Sequence, residues 1–314
     1  MTSTTETALL HWGERLFYPG NRRVANSAPH LRGTPTERAA ALRQRIAAVV
    51  QRRAPQVMVK VTGGGRGMRA ITAHFHYISK HGRLPMEDDR GESVRGREEL
   101  GLLVDEWRWG GTHISEHTER REAYNVMLSM PRGTDPSIVL RAAREFAQTE
   151  LADHKYVMVL HDHQANPHVH LSVRAESNHG RRLNPRKADL QRWRQTFAEK
   201  LRGWGIDAEA TRAPTRGVRG RDEPLWQRQA RAQQRLRRDA KRPPARIAPS
   251  QLAARQAWAH IGQALIRSDD PRDRALARHL AAFMQRTPGF DVSNRSVQRI
   301  METDRRDRTS EPRR

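Results

Sequence analysis

The chain has no cysteine in 314 residues, which excludes a disulfide framework and any metal site built on thiolates. That fits a cytoplasmic protein, the localisation expected here. There is no apolar run near the about 18 residues of a membrane span. The first residues, Met1-Thr2-Ser3-Thr4-Thr5-Glu6-Thr7, lack the charged start and apolar centre of a signal peptide. No membrane insertion is therefore expected. Aromatic residues make up 5% of the chain and only four are tyrosines, so chemistry that needs a phenol has few candidates. Acids are scarce as well: 35 Asp and Glu stand against 58 Lys and Arg, a formal charge of +23. An excess of that size, spread along the whole length rather than on one amphipathic helix, points to nucleic acid and away from a membrane surface.

Histidine is plentiful, with fifteen residues, and the densest cluster is His161-Asp162-His163-Gln164-Ala165-Asn166-Pro167-His168-Val169-His170. Hydrophobic runs flank it, 156–160 before and 169–173 after. Alternate residues of a strand share a face, so His168, His170 and Ser172 point one way while Val169, Leu171 and Val173 point to a core. A third imidazole at the end of the preceding strand completes a cup of three nitrogens. Such a cup suits a divalent cation, Mg²⁺ or Mn²⁺, with coordination positions left for substrate. A closed structural zinc site would want a fourth ligand, commonly a thiolate. His74, His76, His113, His117, His154 and His260 are expected to be ordinary surface or core histidines.

Along the chain, residues 1–35 read as loop. A helix over 37–53, capped by Thr34 or Thr36, carries Leu42, Ile46 and Val49 at helical spacing. A strand over 56–62 puts Val57, Val59 and Val61 on one face. Gly63-Gly64-Gly65-Arg66-Gly67 turns the chain into a helix over 68–81, and such a turn can offer backbone amides to phosphate. Residues 83–122 are polar and irregular, with a helix around 98–108. A strand over 123–130 leads to Asp135-Pro136, an N-cap and first-turn proline for a helix to 151. The two strands of the histidine hairpin follow, then a helix over 186–203. The order β-α-β-α-β-β-α predicts an α+β domain with a partly antiparallel central sheet flanked by helices. Beyond 220 the chain is basic, with 22 Lys and Arg against 11 acids. A charged helix over 227–241, a helical hairpin from 251–267 and 270–285, and a disordered last fifteen residues are expected. The division is 1–55 as an extension with one helix, 56–219 as the main domain, and 220–314 as a basic, mostly helical region. Deleting 221–314 should then weaken DNA binding and leave the chemistry detectable.

A metal beside a phosphodiester stabilises charge as the ester breaks, and the nucleophile decides the reaction. Water makes a hydrolase; a tyrosine makes a covalent protein–DNA intermediate that can rejoin the strand. Tyr124 and Tyr156 begin strands and are most simply packing residues. Tyr18 lies in a Pro/Gly-rich stretch. Tyr77 lies on the helix after the glycine turn, among basic groups.

The segment Val59-Lys60-Val61, Gly63-Gly64-Gly65 and Tyr77-Ile78-Ser79-Lys80-His81-Gly82 resembles the first motif of conjugative relaxases of the mobilisation type. The closest likeness is to those that nick T-DNA borders. Leu128-Ser129-Met130-Pro131-Arg132-Gly133-Thr134 is similar to the second motif. His161, with Asn166-Pro167-His168-Val169-His170, is similar to the histidine motif of these HUH endonucleases. The likeness spans about 56–219. It implies a DNA-nicking relaxase domain in which Tyr77 attacks the phosphate at an origin of transfer, stays joined to the 5′ end and frees a 3′ hydroxyl. It implies His161, His168 and His170 as metal ligands, and Ser129, with Arg66, Lys80 and Arg132 of the same motifs, as DNA contacts. The partners implied are single-stranded DNA, relaxosome accessory proteins and the coupling protein of a type IV secretion system. Where relatives have an acid two places after the first histidine, this chain has His163, with Asp162 one place earlier; either is a candidate support for the metal ligands. Alternatives are a rolling-circle or transposition nickase, which tends to place its tyrosine after the histidines, a metal-dependent phosphohydrolase, and a non-catalytic basic DNA-binding accessory protein.

Overall fold

The computed structural model describes residues 4–18, 33–217, 233–235, 249–287 and 290. The expected helix over 227–241 and the last fifteen residues lie outside these, apart from the turn at 233–235. By internal contacts the chain forms two compact units, Ala54–Ala210, and Met1–Arg53 together with Thr211–Arg314.

The first unit is α+β. Its sheet has strands β1 (Met58–Gly63), β2 (Met86–Asp88), β3 (Ser93–Val94), β4 (Ala123–Ser129), β5 (Tyr156–His161) and β6 (His168–Arg174), in the order β1-β4-β6-β5-β2-β3. Every pairing between these strands is antiparallel, so the sheet is antiparallel throughout rather than in part. The short β2–β3 hairpin falls in the stretch read as irregular. Strands of three and two residues are too short to show an alternation, and pairing onto β5 is what extends them.

One face of the sheet is sealed by two helices, Pro136–Glu150 and Lys187–Gly203. Asp135 accepts a hydrogen bond from the Ser137 amide (2.8 Å) and Pro136 opens the first of them, which is why that helix begins where the sequence places it. Its apolar stripe, Val139, Ala142, Ala143, Phe146 and Ala147, packs with Trp193, Phe197 and Leu201 on Val59, Val126, Leu128, Val169, Leu171 and Val173. The other face is only partly covered, by α4 (Met68–Ile78) and α5 (Gly96–Trp109). Met68, Ile71, Phe75 and Ile78 of α4 join Leu100, Leu103 and Trp107 of α5 over Val157 and Val159 of β5.

The second unit is helical. Thr4–Phe17, read from the sequence as loop, is helical, with α1 (Thr4–Ala8) and α2 (Glu14–Phe17) joined by a π-helical turn at Leu9–Gly13. Its Leu9, Leu16 and Phe17 pack on Leu42, Ile46 and Val49 of α3 (Pro35–Val50), and on Trp258, Ile261 and Leu265 of helix Pro249–Ile266 and Leu276 and Leu280 of helix Pro271–Arg286. Tertiary packing makes a helix of a segment whose threonine-rich start argues for loop. Thr34 and Glu37 form a capping box, and the Arg43 guanidinium grips the buried Asp273 carboxylate through two bonds of 2.8 and 2.9 Å. Since segments before residue 53 and after residue 249 share one core, deleting 221–314 removes more than half of its buried residues and does not simply subtract a DNA-binding tail.

Candidate metal and tyrosine site

The residue pairing on the open face fixes the site. Across β5, β6 and β4, His161 lies opposite His168, Ser129 opposite His168, and Met127 opposite His170. Opposed residues share a face, so the strands carry all three histidines and Ser129 to one place. The imidazole rings form a near-equilateral triangle, with centroids 5.1 Å (161–168), 4.7 Å (161–170) and 4.9 Å (168–170) apart. One nitrogen from each lies within 4.8 Å of the others, a spacing that small ring rotations close onto one ion. The outward nitrogens of two rings are already engaged: His161 Nε2 donates to the Ile78 carbonyl (2.7 Å) and His168 Nδ1 to the Asn166 carbonyl (2.9 Å). Such outer bonds set the tautomer that aims the other nitrogen inward. Burial lowers the pKa of His161 and pushes that of His170 down to about 3, so both are neutral, as metal ligands must be. The donor set and its outer bonds fit a divalent ion.

The Ile78 carbonyl that holds His161 is the last residue of α4, next to Tyr77. That helix reaches the cup because its glycine turn packs tightly. A Cβ on Gly67 would lie 2.2 Å from the Glu116 carbonyl oxygen, and one on Gly64 equally close to that of Ala123. The expected offer of amides to phosphate is not what this turn makes. The Met68 and Arg69 amides donate to the Ser115 and Glu116 carbonyls, and the Gly65 amide to Ala123. The helix also stops earlier than the sequence suggests. Lys80, His81 and Gly82 are all left-handed (φ 50°, 59° and 81°), which costs about 1–2 kcal/mol for each non-glycine residue. Buried Ser79 offsets it, its Oγ accepting from the Gly82 amide (3.0 Å) and its carbonyl from the Leu84 amide (2.8 Å).

Tyr77 is 69% exposed, an unusual state for a tyrosine on a helix packed over a sheet. Its ring stacks on His74, centroids 6.2 Å apart, and His74 in turn stands edge-on to His170 at 6.4 Å. His74 is therefore not one of the ordinary histidines. Of the others, His154 donates to the Arg174 carbonyl (2.9 Å), His260 stacks on Trp12 and His113 on Trp109. Among the remaining tyrosines, Tyr156 is core, and Tyr124 and Tyr18 lie under Arg121 and Arg45.

Ser129 is buried, its Oγ 3.4 Å from the Pro167 carbonyl. Arg66, Lys80 and Arg132 are exposed. Asp162 and His163 are exposed too, with the His163 ring 5.1 Å from that of His161. The outer nitrogens of His161 and His168 are held by carbonyls rather than by either residue. Past the cup, β4 and β1 continue the same face with Met127, Asn125, Met58 and Lys60, of which Met58 and Lys60 are exposed. A sequence signal for Met58 existed only in its parity with Lys60.

No curated protein matches the chain. Residues 103–206 match the family model for relaxases, MobA/VirD2-like, nuclease domain. The match takes in Ser129 and the three histidines but begins within α5, after α4, so Tyr77 stands outside it. Relaxases of this family generally use a divalent metal and act on single-stranded DNA at an origin of transfer. Over this segment, about a third of the chain, the protein is similar to the nuclease domain of MobA/VirD2-like relaxases, and the antiparallel sheet that carries the histidine triad is consistent with that likeness.

Proposed function

We propose that this chain nicks one DNA strand at an origin of transfer by tyrosine transesterification, for conjugative transfer or mobilisation. The observation that carries the reading is the 2.7 Å bond from His161 to the Ile78 carbonyl, which joins the tyrosine helix and the histidine cup into one site. The Tyr77 phenol oxygen attacks phosphorus, the bond from phosphorus to the 3′ oxygen breaks, and the 3′ oxygen leaves with a proton as a hydroxyl. The phenol proton passes to solvent, and the 5′ phosphate remains on Tyr77. The phosphoester energy is kept, so the reverse attack reseals the strand. His161, His168 and His170 hold the divalent ion, which supplies charge stabilisation at the phosphate oxygens. The single strand lies along the strip of Ser129, Met127, Met58 and Lys60, with Arg66, Lys80 and Arg132 on its phosphates. Accessory proteins of the relaxosome and a secretion coupling protein are the partners that go with this activity, and the cytoplasm is its place. No helix among the described residues is long and apolar enough to cross a membrane.

Labelled single strands tiled across the DNA that flanks the gene test this reading. One of them should form an adduct with the protein that survives denaturation, is lost with chelator and returns with Mn²⁺ or Mg²⁺. Imidazole ligands favour Mn²⁺ of the two. Full cleavage in chelator, or an adduct that persists in Tyr77→Phe and disappears in Tyr18→Phe, would remove the metal or the nucleophile respectively from this account.

A further inference from the structure

Metal-binding histidines almost always donate their second ring nitrogen to a partner, and that partner tunes the ligand. His161 has the Ile78 carbonyl and His168 the Asn166 carbonyl. His170 has no such bond: its Nδ1 is buried without a hydrogen-bond partner. The neighbouring ring is His74, whose Nε2 is likewise buried without one. A buried ring nitrogen left unpaired is costly, so a partner is expected for each. The rings are edge-on with centroids 6.4 Å apart, and two nitrogens that share one water lie about 4–5 Å apart, which this separation accommodates.

We propose that His74 is the positioning residue of the third ligand: His170 Nδ1–H donates, through one shared water, to His74 Nε2, and this leaves the His170 Nε2 lone pair facing the cup. With its proton on Nδ1, the His74 ring presents an Nε2 lone pair that accepts the bond. Because His74 also stacks on Tyr77, α4 meets the cup twice, at Ile78 through His161 and at His74 through His170. The inference rests on the metal-cup reading of the site and makes His74 neither a ligand nor a group that touches DNA.

The test is Mn²⁺ binding to the full-length chain by titration calorimetry, independent of cleavage. His74→Phe keeps a ring against Tyr77 and removes the nitrogen; it should weaken Mn²⁺ binding about 10–100-fold. His74→Gln, which returns a polar atom near the Nε2 position, should recover most of the loss. In a His170→Ala background His74→Phe should add nothing. Should the Phe variant not fold, His74→Leu takes its place. Mn²⁺ binding by His74→Phe equal to that of the unaltered chain overturns the proposal, as does a Gln variant no better than Phe, or an unaltered chain that binds no Mn²⁺. Adduct formation by the unaltered chain, run in parallel, separates the two ideas. Its absence would sink the nicking reading, while the Mn²⁺ comparison would still decide the role of His74.

Discussion

The two faces of one sheet are made by neighbouring residues of the same strands and have opposite characters. Val169, Leu171 and Val173 face two helices and are wholly buried; His168, His170 and Ser172, one step along, face a surface that α4 and α5 cover only in part. The sealed face is lined by aliphatic and aromatic side chains. The open face gathers imidazoles, a serine, an asparagine and an exposed lysine. The lesson is a division of labour by strand parity: stability is concentrated on one side of the sheet, and chemistry is set on the other where helices leave a gap. A one-residue slip in β6 would exchange the two sets, so the register that protects the core also assembles the cup.

If that division holds, changes on the two faces should fail in different ways. The largest effect is expected on the open side. Tyr77→Phe should abolish covalent attachment to a nick-site strand, at least about 1000-fold below the unaltered chain on a gel, and leave the melting temperature in place because the ring is exposed. Next, Phe146→Ala on the sealed face should cost about 3–5 kcal/mol in denaturant unfolding, whereas His170→Ala without metal should cost far less and yet weaken Mn²⁺ binding by more than His74→Phe does. Comparable losses of stability from both would break the comparison.

A smaller effect concerns acid. His170 and His74 are held neutral by burial, at about 3 and about 4, against about 6.5 for an unfolded histidine. Between these values the unfolded chain binds more protons than the folded one, so stability rises with pH there and is fully present only above about 6.5. The metal-free protein should therefore melt progressively lower as pH falls from about 6.5 towards 4. That slope should be shallower in His170→Gln; equal slopes would mean the ring is solvated. The smallest change is expected at the rim. Arg66→Ala, Lys80→Ala and Arg132→Ala should each weaken single-strand binding a few-fold and flatten its dependence on log salt by about 0.7. An unchanged slope for any of them would take that residue out of the DNA path.

Much of this arrangement was legible in the chain because it rests on short-range periodicity. The parity of residues 168–173 showed both faces of β6, and Asp135-Pro136 marked the helix start. What was not legible depends on distant partners. His74 looks like any histidine until α4 docks over β5 and β6 and closes its Nε2 off from water. The amides after Gly67 look free for phosphate until the Ser115 and Glu116 carbonyls arrive from 47 residues away in sequence. Leu9, Leu16 and Phe17 make a helix only because Trp258 and Leu280 are there to receive them.

That last packing has a consequence for biosynthesis. Ile46 and Leu276 belong to one core, so the earliest helices wait while about 230 further residues are made, roughly 10–50 s at about 5–20 residues per second. The sheet domain, encoded between them, has all its residues long before. During the interval the nascent chain carries an uncovered leucine, isoleucine and valine stripe ahead of a finished sheet domain, a natural point for chaperones to engage. Premature release between the two events yields a protein with its histidine cup complete and the helices before residue 53 without their partners.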